Sequence, residues 1–185
     1  TDTAGIAAAT AALTIHVSDL DPNLIGTYHG LISPSQVAYL TPNVNVGARL
    51  ALTTTPRGGI TGQILEGRTR VSLKGQLQAS VADPDQPVAI LHLTGPRTKR
   101  QVTLNVTLDK TSNTLTGAFY LTASPAARTP VEGWRNTWSN SSQATDYASL
   151  HTFAIENVST EQTSPDGFGF GNFTPVANTG LLIIK

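Results

Sequence analysis

Trp134, Arg135 and Trp138 lie close together in the chain, with Tyr147 following. Exposed indoles stack on sugar rings or anchor a protein partner, and a guanidinium adds a fork of donors, so these residues are the candidate ligand-binding group for a glycan or a protein. A structural role competes and is favoured: a Trp in a long crossing loop plugs the open end of a β-barrel. His16, His29, His92 and His151 each fall in an expected strand, with no close spacing. A metal site needs about three such ligands converging on one point, so no metal is expected. His29 and His151, beside Tyr28 and Leu150, are expected at solvent-facing or rim positions. Asp19, Asp21 and Asn23 cluster side-chain oxygens, but Ca²⁺ takes about six to eight oxygen ligands. The expected reading is a polar turn whose Asp and Asn bond their own backbone, and Asp83 and Asp85 are read the same way. No Ser has a Gly-x-Ser-x-Gly setting and no carboxylate pair has a distinctive context. Distant residues can still assemble a triad, yet no catalysis and no cofactor are expected.

The elements that would position these residues are strands. Apolar residues recur with period two, as in Val46, Ala48, Leu50 and Leu52, which lines one face of a strand. Strands are expected at about 24–32, 45–55, 60–65, 69–78, 88–94, 101–109, 114–121, 147–156, 167–174 and 180–184. Only the segment Pro125 to Trp138 is read as a short helical turn, weakened by its prolines and Gly133. Short Gly- and Asn-bearing links such as Arg57-Gly58-Gly59 and Asp109 to Asn113 suit tight antiparallel hairpins. The link Asp83-Pro84-Asp85-Gln86-Pro87 is where the sheet should turn or break. The fold class expected is therefore all-β, an antiparallel meander forming a barrel-like or sandwich domain, with the barrel preferred. An apolar-x-Gly-x-apolar pattern recurs at Gly62, Gly75 and Gly117 and is read as coiling of the sheet. Arg97 to Arg100 reads as a solvated turn. Phe168, Phe170 and Phe173 alternate with glycines, which suggests a strand with one aromatic face and one bare face.

Composition narrows the function classes. Twelve basic residues balance twelve acidic ones, so no global field steers the chain to nucleic acid. Charged residues are only 13% of the chain while Thr, Ser, Asn and Gly are plentiful, a pattern of exported β-proteins. Cysteine is absent, which removes disulfides, thiolate metal ligands and thiol nucleophiles together. No apolar run is long enough to span a bilayer as a helix, so membrane insertion is not expected. The lack of methionine suggests an excised or processed piece.

In order, Gly26 to Ile32, Ile60 to Leu77, Leu104 to Phe119, Gly133 to Trp138 and Pro165 to Gly169 resemble the uncharacterised β-rich domains of large bacterial cell-surface proteins. Thr1 to Val17 is similar to the closing strand of a bacterial immunoglobulin-like repeat. The resemblance implies two parts: residues 1–20 as an N-terminal strand and linker, and residues 21–185 as an all-β domain. It also implies a secreted or cell-surface location and a non-catalytic structural or assembly role. Leu13, Ile15 and Val17 mark the expected assembly strand, which would dock on a neighbouring domain or an identical subunit by strand addition, as in a filament. The alternative is a glycan- or protein-binding module using Trp134 to Trp138.

Overall fold

The computed structural model describes residues 19–80, 83, 85–155, 169–180 and 182–184. Eight strands form one antiparallel sheet: β1 (Gly26–Ile32), β2 (Ala48–Thr54), β3 (Gly59–Glu66), β4 (Thr69–Gln76), β5 (Val88–Thr94), β6 (Gln101–Asp109), β7 (Thr114–Leu121) and β8 (Thr129–Arg135). Their order, β4-β3-β2-β1-β8-β7-β6-β5, joins two meanders through the β1–β8 pair and leaves β4 and β5 at the ends. Those ends meet. Gln78 and Val88 exchange backbone hydrogen bonds of 2.8 and 2.9 Å, so the sheet curls into a nearly closed barrel rather than a sandwich. The link at 83–87 is thus where hairpin pairing stops, and the seam lies beside it.

Period two decides what fills the barrel. Tyr28, Leu50, Leu52, Ile64, Leu104, Val106, Leu115 and Phe119 all point inward and are almost fully buried, while Thr and charged residues alternate outward. The interior is packed with side chains and is no channel. One end is closed by the segment between β1 and β2: Leu40 is fully buried, and Tyr39 tilts against Phe119 at 4.8 Å with its hydroxyl 2.6 Å from Thr129 Oγ1. Glu66 secures this plug, its Oε2 accepting from the backbone N–H groups of Leu40 (3.1 Å) and Thr41 (3.0 Å). At the other end a 3-10 turn, Pro22–Leu24, inserts Leu24, whose carbonyl accepts from Tyr28 Oη and Thr54 Oγ1.

The plug overturns one expectation. Tyr39 and Leu40 close the barrel, and the Trp134 segment does not. Nor is 125–138 a helical turn, because residues 129–135 are the central strand β8. Its apparent breakers are accommodated: Pro130 sits beyond the end of the β1–β8 ladder, and Gly133 faces Gly30 where a Cβ on either would press into the other strand's backbone.

A second, three-stranded antiparallel sheet follows, β9 (His151–Ile155), β10 (Gly169–Pro175) and β11 (Leu182–Ile184), in the order β11-β10-β9. Phe170 is 90% exposed, whereas Phe173 packs on His151 and Phe153 from the opposite face of β10. Period two separates positions 170 and 173, so the single aromatic face expected there is not formed; Phe168 lies outside the described residues. The assembly strand at Leu13, Ile15 and Val17 also lies outside them. No α-helix occurs among the described residues, and none long and apolar enough to cross a membrane.

Candidate functional site

On the outer wall of the barrel, β8, β1 and β2 lie side by side. Their register places Trp134 opposite His29 and Arg49 opposite Leu31. All four side chains project outward because they alternate with buried positions on their strands. The chain leaving β8 then carries Trp138 outward, and the approach to β11 comes back over it. Asn136 fixes this geometry: its Oδ1 accepts from the Trp138 N–H at 3.0 Å, and its Nδ2 donates to the Thr179 carbonyl at 2.8 Å. Gly180, at φ +65°, lies so close to the Trp138 indole that a Cβ there would collide with the ring.

The result is an open cleft of about 430 Å³ between the barrel wall and the small sheet, walled by Leu31, Trp134, Trp138 and Leu182, with Arg49 and His29 among its polar residues. Trp134 is 61% exposed and Trp138 38%. A second cleft of about 340 Å³ shares Trp138, Gly180 and Leu182 and is lined further by Tyr147, His151 and Phe173. Together they form a run of exposed rings and aliphatic groups, of the kind that marks binding surfaces.

The electrostatics of the first cleft are one-sided. The Arg49 side chain makes no hydrogen bond or ion pair with another described residue. His29 has its Nδ1 buried without a partner among the described residues, and its pKa is held below the usual histidine value by burial and then by the Arg49 charge. Its imidazole is therefore neutral at physiological pH. No Asp or Glu among the described residues lines the cleft.

No family model, curated protein or solved structure matches this chain.

Of the three candidate ligand-binding residues, Trp134 and Trp138 come together and Arg135 does not join them in presenting a free group. Strand alternation turns Arg135 toward the barrel mouth, where Nε donates to Asn113 Oδ1 (2.8 Å) and Nη1 to the carbonyls of Ile25 (3.2 Å) and Pro22 (3.4 Å). Arg49, which sequence reasoning missed, supplies the free cation instead. Its only signal was an outward position in a period-two strand; adjacency to Trp134 needs the β1 register.

The remaining candidates are accounted for locally. Asp21 accepts from the Asn23 N–H (2.9 Å) and faces Lys110 (3.3 Å), which also pairs with Asp85 at 2.7 Å. One ammonium thus bridges two carboxylates, and Asp83 accepts from the Asp85 N–H. No group of three or more His, Cys, Asp or Glu suited to a metal occurs among the described residues. Ser149 Oγ lies 3.2 Å from His151 Nε2, a separation that would suit a nucleophile and its base. That nitrogen also lies 3.0 Å from the Tyr147 carbonyl, an acceptor, and the tautomer that donates to this carbonyl has no lone pair on Nε2 for the Ser149 proton. His92 pairs with Thr103 at 3.2 Å, again without a carboxylate to orient it among the described residues. His16 lies outside the described residues.

Proposed function

We propose that this chain is a non-catalytic extracellular binding module, in which a side-chain-filled barrel is the rigid carrier and the Trp134–Trp138 cleft is the recognition face. One observation carries the reading: two exposed indoles, from β8 and from the segment after it, wall a single cleft. Strand register and the Asn136 bonds hold the backbone at both positions, and an indole has only two side-chain torsions to order on binding. The Tyr147 carbonyl, which competes with Ser149 for Nε2 of His151, supports a non-catalytic role, and the hydroxyl-rich, weakly charged composition supports export. A place in a bacterial surface protein, as the motif resemblance implies, is part of the same proposal.

Titration of the full chain with a panel of oligosaccharides and peptides, followed by tryptophan fluorescence, tests the reading. Saturable quenching or a spectral shift that Trp134→Ala abolishes is expected. A flat response across the panel, together with indoles shielded from acrylamide, would sink it.

A second reading keeps assembly by strand addition. Among the described residues β9 and β11 each have a single ladder neighbour, as do β4 and β5, whose ends of the sheet are joined only by the Gln78–Val88 bridge. In this reading residues 6–17 of another copy add to the edge of the small sheet, at β9 or β11. Deleting residues 1–18 should then lower the sedimentation coefficient of the assembled material, and an unchanged profile rejects this reading.

A further inference from the structure

We infer that the Trp134–Trp138 cleft takes a carboxylate-bearing saccharide, with Arg49 as the residue that selects the acid; this rests on the binding-module reading above. Charge complementarity within an aromatic site points to an acid. The chain as a whole is neutral, yet the cleft is lined by two arginines and a histidine and, among the described residues, by no acidic one. Arg135 is held by Asn113, Ile25 and Pro22. Arg49 is exposed and unpaired among the described residues, and its planar fork matches a carboxylate in a two-point contact. The nearest acidic residue in the strand register, Glu132, is separated from Arg49 by Leu31 and forms no ion pair with it. Arg49 therefore faces the cleft without a direct carboxylate partner among the described residues.

The neighbouring groups favour a sugar as the body of the ligand. Trp134, 61% exposed, stands opposite His29 on the neighbouring strand and offers an accessible indole to a ligand lying along the barrel wall. Stacking of C–H faces on indole supplies apolar contact, and Arg49 reads the acid. The cleft's opening along the barrel wall, where a further depression is lined by Leu31, Pro34, Gly47 and Arg49, places Arg49 between two subsites and suits a chain of more than one residue.

The test uses the full chain at low ionic strength with three probes: trigalacturonate, its fully methyl-esterified form, and an acidic hexapeptide of alternating Asp and Glu. Trigalacturonate should quench tryptophan fluorescence saturably, and the ester should bind at least tenfold more weakly. Arg49→Ala should remove that difference, and raised salt should weaken the acid alone. Equal affinity for acid and ester, or an Arg49→Ala variant that still discriminates, overturns acid selection while leaving the binding module intact. Binding of the hexapeptide but not the saccharide overturns the saccharide class. Failure of all three probes overturns the inference, and the wider panel with Trp134→Ala then decides the parent reading separately.

Discussion

Leu91 of β5 lies across Gly75 of β4, its Cδ2 occupying the space that a Cβ on Gly75 would fill. Here the two ends of the sheet touch, beside the Gln78–Val88 bridge that shuts the barrel. The three glycines of the repeated pattern are thus unequal. At Gly62 and Gly117 the obstructing atoms are the main-chain oxygens of Ala51 and Asn105, whereas at Gly75 the obstacle is the far end of a flexible side chain. Gly62→Ala and Gly117→Ala should each destabilise by about 1–3 kcal/mol, and Gly75→Ala by clearly less. Urea unfolding midpoints measure the ranking; equal costs at all three would show that close approach is not what the glycines serve.

The plug gives a second expectation. Tyr39→Phe removes the hydroxyl partner of Thr129 and should cost about 0.5–1.5 kcal/mol. Tyr39→Ala also empties the space against Phe119 and should cost about 3–5 kcal/mol. Thermal melts of the two variants check this, and a Tyr39→Ala protein as stable as wild type would remove the plug from the account of the core.

Glu66 makes stability depend on pH in a predictable direction. Burial raises its pKa above the usual glutamate value, and the Thr41 and Leu40 N–H groups offset only part of that. A raised folded-state pKa contributes stability that is fully present below the unfolded value and lost as pH rises through the folded value. Glu66→Gln keeps an acceptor for Leu40 and Thr41 without the buried charge. Wild type should therefore lose stability relative to Glu66→Gln on moving from acid to neutral pH. The difference between the two melting curves isolates Glu66, because the lowered carboxylates Asp21 and Asp109 act in the opposite sense and are common to both. A pH-independent difference would contradict the assignment.

Arg135 and Trp134, adjacent in sequence, should part company when mutated. Arg135→Ala breaks its bonds to Asn113, Ile25 and Pro22 and should lower stability by about 1–3 kcal/mol. Trp134→Ala, on the outer wall, should stay within about 0.5 kcal/mol of wild type and act on binding instead. Chemical denaturation beside ligand titration separates the two; a large stability loss in Trp134→Ala would place that ring in the core.

The all-β class, the seven barrel hairpin strands other than β8 and the packed interior were legible because period two is a local property: each strand states its buried face through alternate residues such as Leu50 and Leu52. Strand β8 was not, since Pro130 and Gly133 read locally as breakers and become acceptable only where the β1 ladder ends and where Gly30 lies opposite. The Trp pair was singled out by residue type alone, but its surroundings were not. Arg49 and His29 join Trp134 through pairing between strands distant in sequence, and Leu182 joins Trp138 through the return of the chain over Gly180. Registers and crossings depend on the sum of many pairings around the barrel, so no single segment encodes them. Sequence by itself determined which faces are apolar and that strands build the molecule. Only the tertiary structure decided which loop plugs the barrel, that Arg49 rather than Arg135 presents its guanidinium to the cleft, and which residues share that cleft, because those outcomes rest on closure of the sheet.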